Sequence, residues 1–206
     1  MPYADFTLDT VEKSLELSIQ PGELFREIRP SPVPEWLIET LDLGHRSAAL
    51  VSEKARSEFM VVPILLAARR SFPGDLSIFS GQRLDVDPLQ GLVGECDFIL
   101  ALTPPIPRLK APLVTILEAK KGDIEAGLGQ CIAQSTGARR FNERAGEVEC
   151  PVFGCVTTGG EWQFFRHDGS IVILDTRRYY LSEPGEILAV LAEVFRVGTT
   201  SKAKPA

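Results

Sequence analysis

Apolar and polar positions along this chain follow two periods, and the alternation between them predicts the elements. From Ser47 to about Arg70, Val51, Ala55, Phe59, Val62 and Leu66 step by four, four, three and four, the spacing of one helical face. Pro63 lies inside that run and predicts a kink or a split, because proline has no N–H to donate and crowds the carbonyl four residues back. Residues 76–87 read as a strand bent at Gly81, and Gly94–Leu102 as a second strand. Leu113-Val114-Thr115-Ile116-Leu117 is apolar or β-branched throughout, the composition of a central strand buried on both faces. Pro104, Pro105 and Pro107 lie in the link before it, which is too short for a parallel crossover and predicts antiparallel neighbours. Gly122-Asp123 then stops the strand and caps a helix of about 20 residues, with Ile124, Leu128, Cys131, Ser135, Ala138 and Phe141 on its apolar face. Gly127 and Gly129 weaken its early turns unless they admit another backbone or a ligand at close range.

Downstream, Pro151–Thr158 is a further buried strand. Gly159-Gly160 and Asp168-Gly169 are turns that build a meander from it with Glu161–His167 and Ser170–Asp175. An amphipathic helix from about Glu183 to Val197 follows, with Ser182 as its cap and Pro184 tolerated in the first turn. At the other end, Leu8, Val11, Leu15 and Ile19 recur at roughly helical spacing. Arg29–Pro34 is extended because each proline restricts its predecessor, and Trp36, Leu37, Ile38 and Leu41 predict a short helix. The pattern predicts one α/β domain: a mixed β-sheet flanked by helices, core order αβββαβ, then a C-terminal β-meander and helix. Residues 1–46 are expected as a helical and extended segment packed on the core, 47–198 as the domain, and 199–206 as a disordered tail.

Composition narrows the setting. At 206 residues with 44% hydrophobic content, the chain has ample length for one hydrophobic core. No run of about 18 apolar residues is present, which predicts no membrane association. The N-terminus lacks a basic and apolar leader, and the four cysteines show neither a Cys-x-x-Cys pair nor a disulfide spacing. A cytoplasmic protein with reduced, mostly buried thiols is expected. The net charge of −6 argues against tight non-specific nucleic-acid binding, which depends on neutralising phosphates, but leaves room for a local basic cleft.

Candidate chemistry gathers where the central strand ends. Alternation along the strand puts Glu118 and Lys120 on one face. Asp97 lies within the preceding strand, where a lone buried carboxylate is expensive, and Glu53 lies on the first helix of the core, with Glu58 as its rival. If the two strands are neighbours, Asp97 and Glu118 can converge on one divalent cation, a hard-ligand shell that suits Mg²⁺ or Mn²⁺. A lysine beside them can hold the attacking water and offset charge developing on a phosphate. His45 and His167 fit no metal spacing and are expected to be structural.

Asp97, followed across a proline-containing loop by Glu118-Ala119-Lys120, resembles the PD-(D/E)XK superfamily of restriction-endonuclease-like nucleases over roughly residues 47–158. Glu53 and Arg56, with Val61-Val62-Pro63-Ile64-Leu65, resemble the first helix of the Type I restriction-subunit branch. Gln130 resembles the helix glutamine of RecB-like members; the tyrosine that usually follows is absent, and Gln134 stands at i+4. More narrowly, Gly94–Phe98, Leu117–Lys121 and Gly127–Gln130 are similar to stand-alone, largely cyanobacterial and other bacterial proteins of this fold. The resemblance implies a metal-dependent nuclease with Asp97, Glu118 and Glu53 as ligands to Mg²⁺ or Mn²⁺ and with Lys120 and Gln130 completing the catalytic set. It implies nucleic acid as partner, DNA before RNA, touched by Arg56, Lys121, Gln134, Arg139 and Arg140, with a homodimer open as the assembly. Two rival readings stand beside it: a catalytically inactive module of the same fold that binds nucleic acid or protein, favoured by the acidic balance, and a thiol chemistry at Cys131 or Cys150.

Overall fold

The computed structural model describes residues 2–202, and its strands lie where the alternating and unbroken apolar stretches predict most of them. They are β1 (Ser18–Gly22), β2 (Ser77–Arg83), β3 (Glu95–Ala101), β4 (Leu113–Ala119), β5 (Val152–Thr157), β6 (Glu161–Asp168) and β7 (Ile171–Tyr180). Among the described residues these seven form one open mixed sheet in the order β1-β7-β6-β5-β4-β3-β2. The β4–β5 and β1–β7 pairs are parallel and the others antiparallel. Every residue of β4 is buried, and the strand sits between β3 and β5 as its unbroken apolar run requires.

Among the described residues five helices flank the sheet: α1 (Leu8–Leu15), α2 (Glu35–Ser47), α4 (Val62–Ser71), α5 (Ile124–Arg144) and α6 (Pro184–Lys202); α3 (Glu53–Arg56) is a single turn. One face carries α1 and α5, whose Leu128, Cys131 and Ile132 pack with Ile99, Ile116 and Val156 of the sheet. The other carries α2, α4 and α6, with Leu65, Leu191 and Phe195 against Phe98, Leu117 and Phe164. No helix among the described residues is long and apolar enough to cross a membrane.

Several elements differ from expectation. The N-terminal helix stops at Leu15, where Glu16 turns left-handed at φ 53°, and the chain continues as the edge strand β1 rather than carrying helix through Ile19. The long helix expected from Ser47 is broken into α3, a π-turn over Ser57–Val61 and α4. The cause is Pro63: without its N–H the ladder cannot continue at four-residue spacing, and Val62 N–H reaches back five residues to Ser57 O. Of the stripe read from the sequence, Val51 lies in the turn before α3 and is 69% exposed, and Phe59 and Leu66 face outward at 41% and 50%, while Val61, Ile64, Leu65 and Ala68 enter the core. Strand β7 runs on to Tyr180, five residues beyond the expected end. Helix α6 continues past Val197 to Lys202, so 199–202 are helical where a tail was expected; 203–206 lie outside the described residues.

Candidate active site

The site is assembled by the short passage from β4 into α5. Only residues 120–123 separate them, and Asp123 caps the helix by accepting the Glu125 N–H, so α5 returns alongside β4. Glu118 is 3% exposed at the end of β4. Lys120 extends the parallel pairing by donating its N–H to Thr157 O at 2.8 Å. Its Nζ lies 2.9 Å from Glu118 Oε1 and 2.9 Å from Gln130 Oε1. Gln130 Nε2 donates to Glu118 Oε1 at 2.6 Å, and Gln134 Nε2, one turn further on, donates to Glu118 Oε2 at 2.9 Å and to Glu95 O at 3.2 Å. Three side chains therefore clamp one carboxylate.

Asp97 joins them from β3. The β3–β4 pairing runs to Phe98 opposite Leu117, and beyond it Ala119 N–H goes to Asp97 Oδ2 at 2.7 Å. That carboxylate takes the donor that a ladder carbonyl would otherwise accept. Glu53 reaches the same end of the sheet from α3, where Ser52 caps the turn, and accepts the Lys121 N–H at 3.1 Å. An open cleft of about 480 Å³ is lined by Glu53, Ser57, Glu58, Glu95, Asp97 and Phe98 among others.

The electrostatics show an excess of negative charge. Burial, then repulsion from Asp97, push Glu118 up to about 7, although Lys120 and the Gln134 hydrogen bond pull the other way. Burial also raises Asp97; the Ala119 N–H and Lys120 oppose it, and Glu53 and Glu95 add to it. Burial alone would lower Lys120, but the charge and hydrogen bond of Glu118, with Glu53 and Asp97 behind it, more than offset this and hold its pKa up. Three carboxylates, Glu118, Glu53 and Asp97, thus share one clamped ammonium.

A divalent cation fits this donor set on two counts. Asp97 and Glu118 are hard oxygen ligands whose ionised forms are compensated only in part, burial outweighing the donors they have. Gln134 is fully buried and its Oε1 has no hydrogen-bond partner, an acceptor that a cation-held water would satisfy. Among the described residues, however, no group of three or more His, Cys, Asp or Glu side chains is arranged to hold a metal ion. Glu53 stands at the rim through Lys121, and Asp97 and Glu118 are the pair at the centre.

The structure brings Asp97, Glu118, Lys120, Gln130, Gln134, Glu53 and Lys121 to one end of the sheet. It does not bring Arg139 and Arg140 there. They lie nine and ten residues beyond Gln130 on α5, about 14 Å along the axis. Arg139 donates to His167 O and Glu143, and Arg140 to Asp87 and Gln90. Arg56 is at the right end of the sheet, but its guanidinium is bonded to the carbonyls of Leu50 and Thr158. The local basic cleft for which the sequence left room is reduced accordingly. His167 is buried with Nδ1 2.9 Å from Ser135 Oγ, a structural position, and burial holds the Cys131 thiol well up, which disfavours thiol chemistry there.

One contributor, Glu95, was not singled out from the sequence, and a second, Gln134, was singled out in another role. Glu95 adds charge to the cleft, and its i, i+2 spacing from Asp97 was the available signal. Gln134 was expected only as a nucleic-acid contact, yet it is bonded directly to Glu118. A scan against models of known protein families finds no match to this chain, and a search of curated proteins finds none either.

Proposed function

We propose that this chain is a divalent-metal-dependent phosphodiesterase that hydrolyses nucleic acid, with Mg²⁺ or Mn²⁺ bound by Asp97 and Glu118, and that its architecture is the restriction-endonuclease-like fold of the PD-(D/E)XK nucleases. The observation that carries this reading is the bond network of Glu118, Lys120 and Gln130 at the end of a buried strand, with Asp97 bonded to the residue between Glu118 and Lys120. A cation there would neutralise charge on the phosphoryl oxygens and lower the pKa of a bound water. Lys120 Nζ, fixed by two acceptors, offsets the charge that develops on the phosphate and orients the attacking water. Gln130 holds Lys120 and Glu118 in mutual register, and Gln134 fixes the second oxygen of Glu118. Lys121, exposed beside the site, faces the nucleic acid in this reading, DNA in preference to RNA, while buried Gln134 does not reach it, and the setting is cytoplasmic. The test is cleavage of a supercoiled plasmid and a single-stranded oligonucleotide with Mg²⁺, Mn²⁺ or Ca²⁺ against a chelator control.

One observation favours a second reading. The cleft is lined by Glu53, Glu58, Glu95 and Asp97 with Lys54 as its cation, a surface that repels a polyanion. A catalytically inactive protein-interaction module of the same fold would keep the network and never cut. Metal binding without cleavage of either substrate, and without DNA affinity at low salt, decides for it.

A further inference from the structure

We propose that Gly127 is the positioning residue that seats Lys120, because the space a side chain would take there is occupied by the lysine's own stem. A Cβ at Gly127 would lie 2.9 Å from Lys120 Cγ and 3.2 Å from Lys120 Cε, with Val156 Cγ1 nearer still at 2.7 Å. These are closer than carbon atoms pack. Lys120 therefore reaches its acceptors through a slot between the first turn of α5 and Val156 of β5. Only a residue without a side chain leaves that slot open. The neighbouring glycine does something different: a Cβ at Gly129 would lie 2.3 Å from Thr7 C and 2.7 Å from Leu8 N, so it admits the N-terminal backbone. Two helix-weakening glycines two residues apart thus have separate causes, one in the site and one in the packing of α1.

The consequence is specific. A methyl group at position 127 pushes the lysine stem outward, and Nζ leaves Glu118 Oε1 and Gln130 Oε1. Neither acceptor moves with it, since Gln130 and Glu118 remain bonded to each other. The proposal rests on the suggested role of Lys120 only for its effect on turnover; the seating itself is read independently.

The experiment compares wild type, Gly127→Ala, Gly127→Ala/Val156→Ala and Gly122→Ala. Lysine acylation by a limiting N-hydroxysuccinimide ester is mapped by mass spectrometry, with exposed Lys121 as internal reference. Plasmid cleavage with Mn²⁺ is measured in parallel. Wild-type Lys120 reacts slowly, being half-buried and bonded twice. In Gly127→Ala its rate relative to Lys121 rises about tenfold or more, and turnover falls about 100-fold or more, the scale for losing one charge-stabilising group. Val156→Ala removes the competing contact, so the double variant gives up only one methyl group of core volume and shows the same exposed Lys120; it carries the measurement if the single variant does not fold. Gly122→Ala, where a Cβ meets nothing within 4 Å, behaves as wild type. Wild-type labelling in the folded single or double variant overturns the proposal. If wild type cuts nothing, the nuclease reading fails, and the labelling still decides the seating of Lys120.

Discussion

Replacing Glu118 with Gln tests the electrostatics of the site without any substrate. Glu118 ionises near 7 in the folded protein against an ordinary value of 4.5, raised first by burial and then by Asp97. Below pH 4.5 the group is protonated in both states. Between pH 4.5 and 7 the unfolded chain releases the proton while the folded one retains it, so stability falls as pH rises, and above 7 the difference is constant. At about 1.4 kcal/mol per pKa unit, the wild type loses roughly 3 kcal/mol across that window. Glutamine is neutral throughout and carries no such loss. The repulsion between Glu118 and Asp97 is already contained in that shift. His167, held down to about 3 by burial against an ordinary 6.5, works oppositely, its contribution being lost as pH falls. It is common to both proteins, so the comparison must be a difference. The assay is urea unfolding followed by fluorescence of Trp36 and Trp162, from pH 4.5 to 8 with chelator present. The expected result is that the stability of Glu118→Gln minus that of wild type climbs by up to about 3 kcal/mol from pH 4.5 to 7 and then levels. A flat difference, or one that declines with pH, refutes the raised ionisation of Glu118.

Further outcomes follow from individual contacts. Gln134→Leu removes a donor to Glu118 Oε2, so Mn²⁺ affinity measured by calorimetry should fall about 5- to 50-fold while the fold survives. Gly154→Ala would put a Cβ 1.9 Å from Phe165 Cζ in the β5–β6 core, and urea unfolding should show a loss of about 2 kcal/mol or more. Wild-type stability in that variant would mean the two strands are not registered as described. Nucleic-acid affinity in Ca²⁺ should be weak, and a plot of log affinity against log salt should have a slope no steeper than about −3. The reason is that Lys54, Lys120 and Lys121 are the cations left near the cleft once Arg56, Arg139 and Arg140 are committed elsewhere. A slope near −6 would restore the local basic cleft.

The parts of this molecule that could be read from the chain are those where burial leaves few choices. An unbroken run such as Leu113–Leu117 has nowhere to go but the middle of a sheet, and strand alternation then puts Lys120 beside Glu118 without further information. Asp123 as a cap and Gly81 as a bend at φ 63° are equally local. What was hidden depends on neighbours. Strand β1 contains Pro21 and has an exposed edge, so it carries no strand periodicity of its own and exists because β7 offers a parallel partner. The face of α4 could not be assigned because the π-turn ahead of Pro63 shifts which residues meet the core. Arg139 and Arg140 follow Gln130 on the same helix, but the partners of Arg140, Asp87 and Gln90, belong to a loop, and the His167 carbonyl that Arg139 reaches belongs to β6, placements that no local pattern encodes. Gly127 was legible as an anomaly, and its cause required Lys120 and Val156 in three dimensions.

The central claim, a cation site at Asp97 and Glu118 served by a separate lysine, is tested most directly by Mn²⁺ calorimetry run beside cleavage of plasmid and single-stranded oligonucleotide, for wild type, Glu118→Ala and Lys120→Ala. Wild type should bind Mn²⁺ and cut. Glu118→Ala should lose metal affinity and activity together, because a ligand has gone. Lys120→Ala should keep or improve metal binding, since a neighbouring positive charge has been removed, while turnover drops by about two to four orders of magnitude. Wild-type protein that neither binds Mn²⁺ nor cuts either substrate contradicts the account, and equal loss of metal in both variants contradicts the division of roles between Glu118 and Lys120.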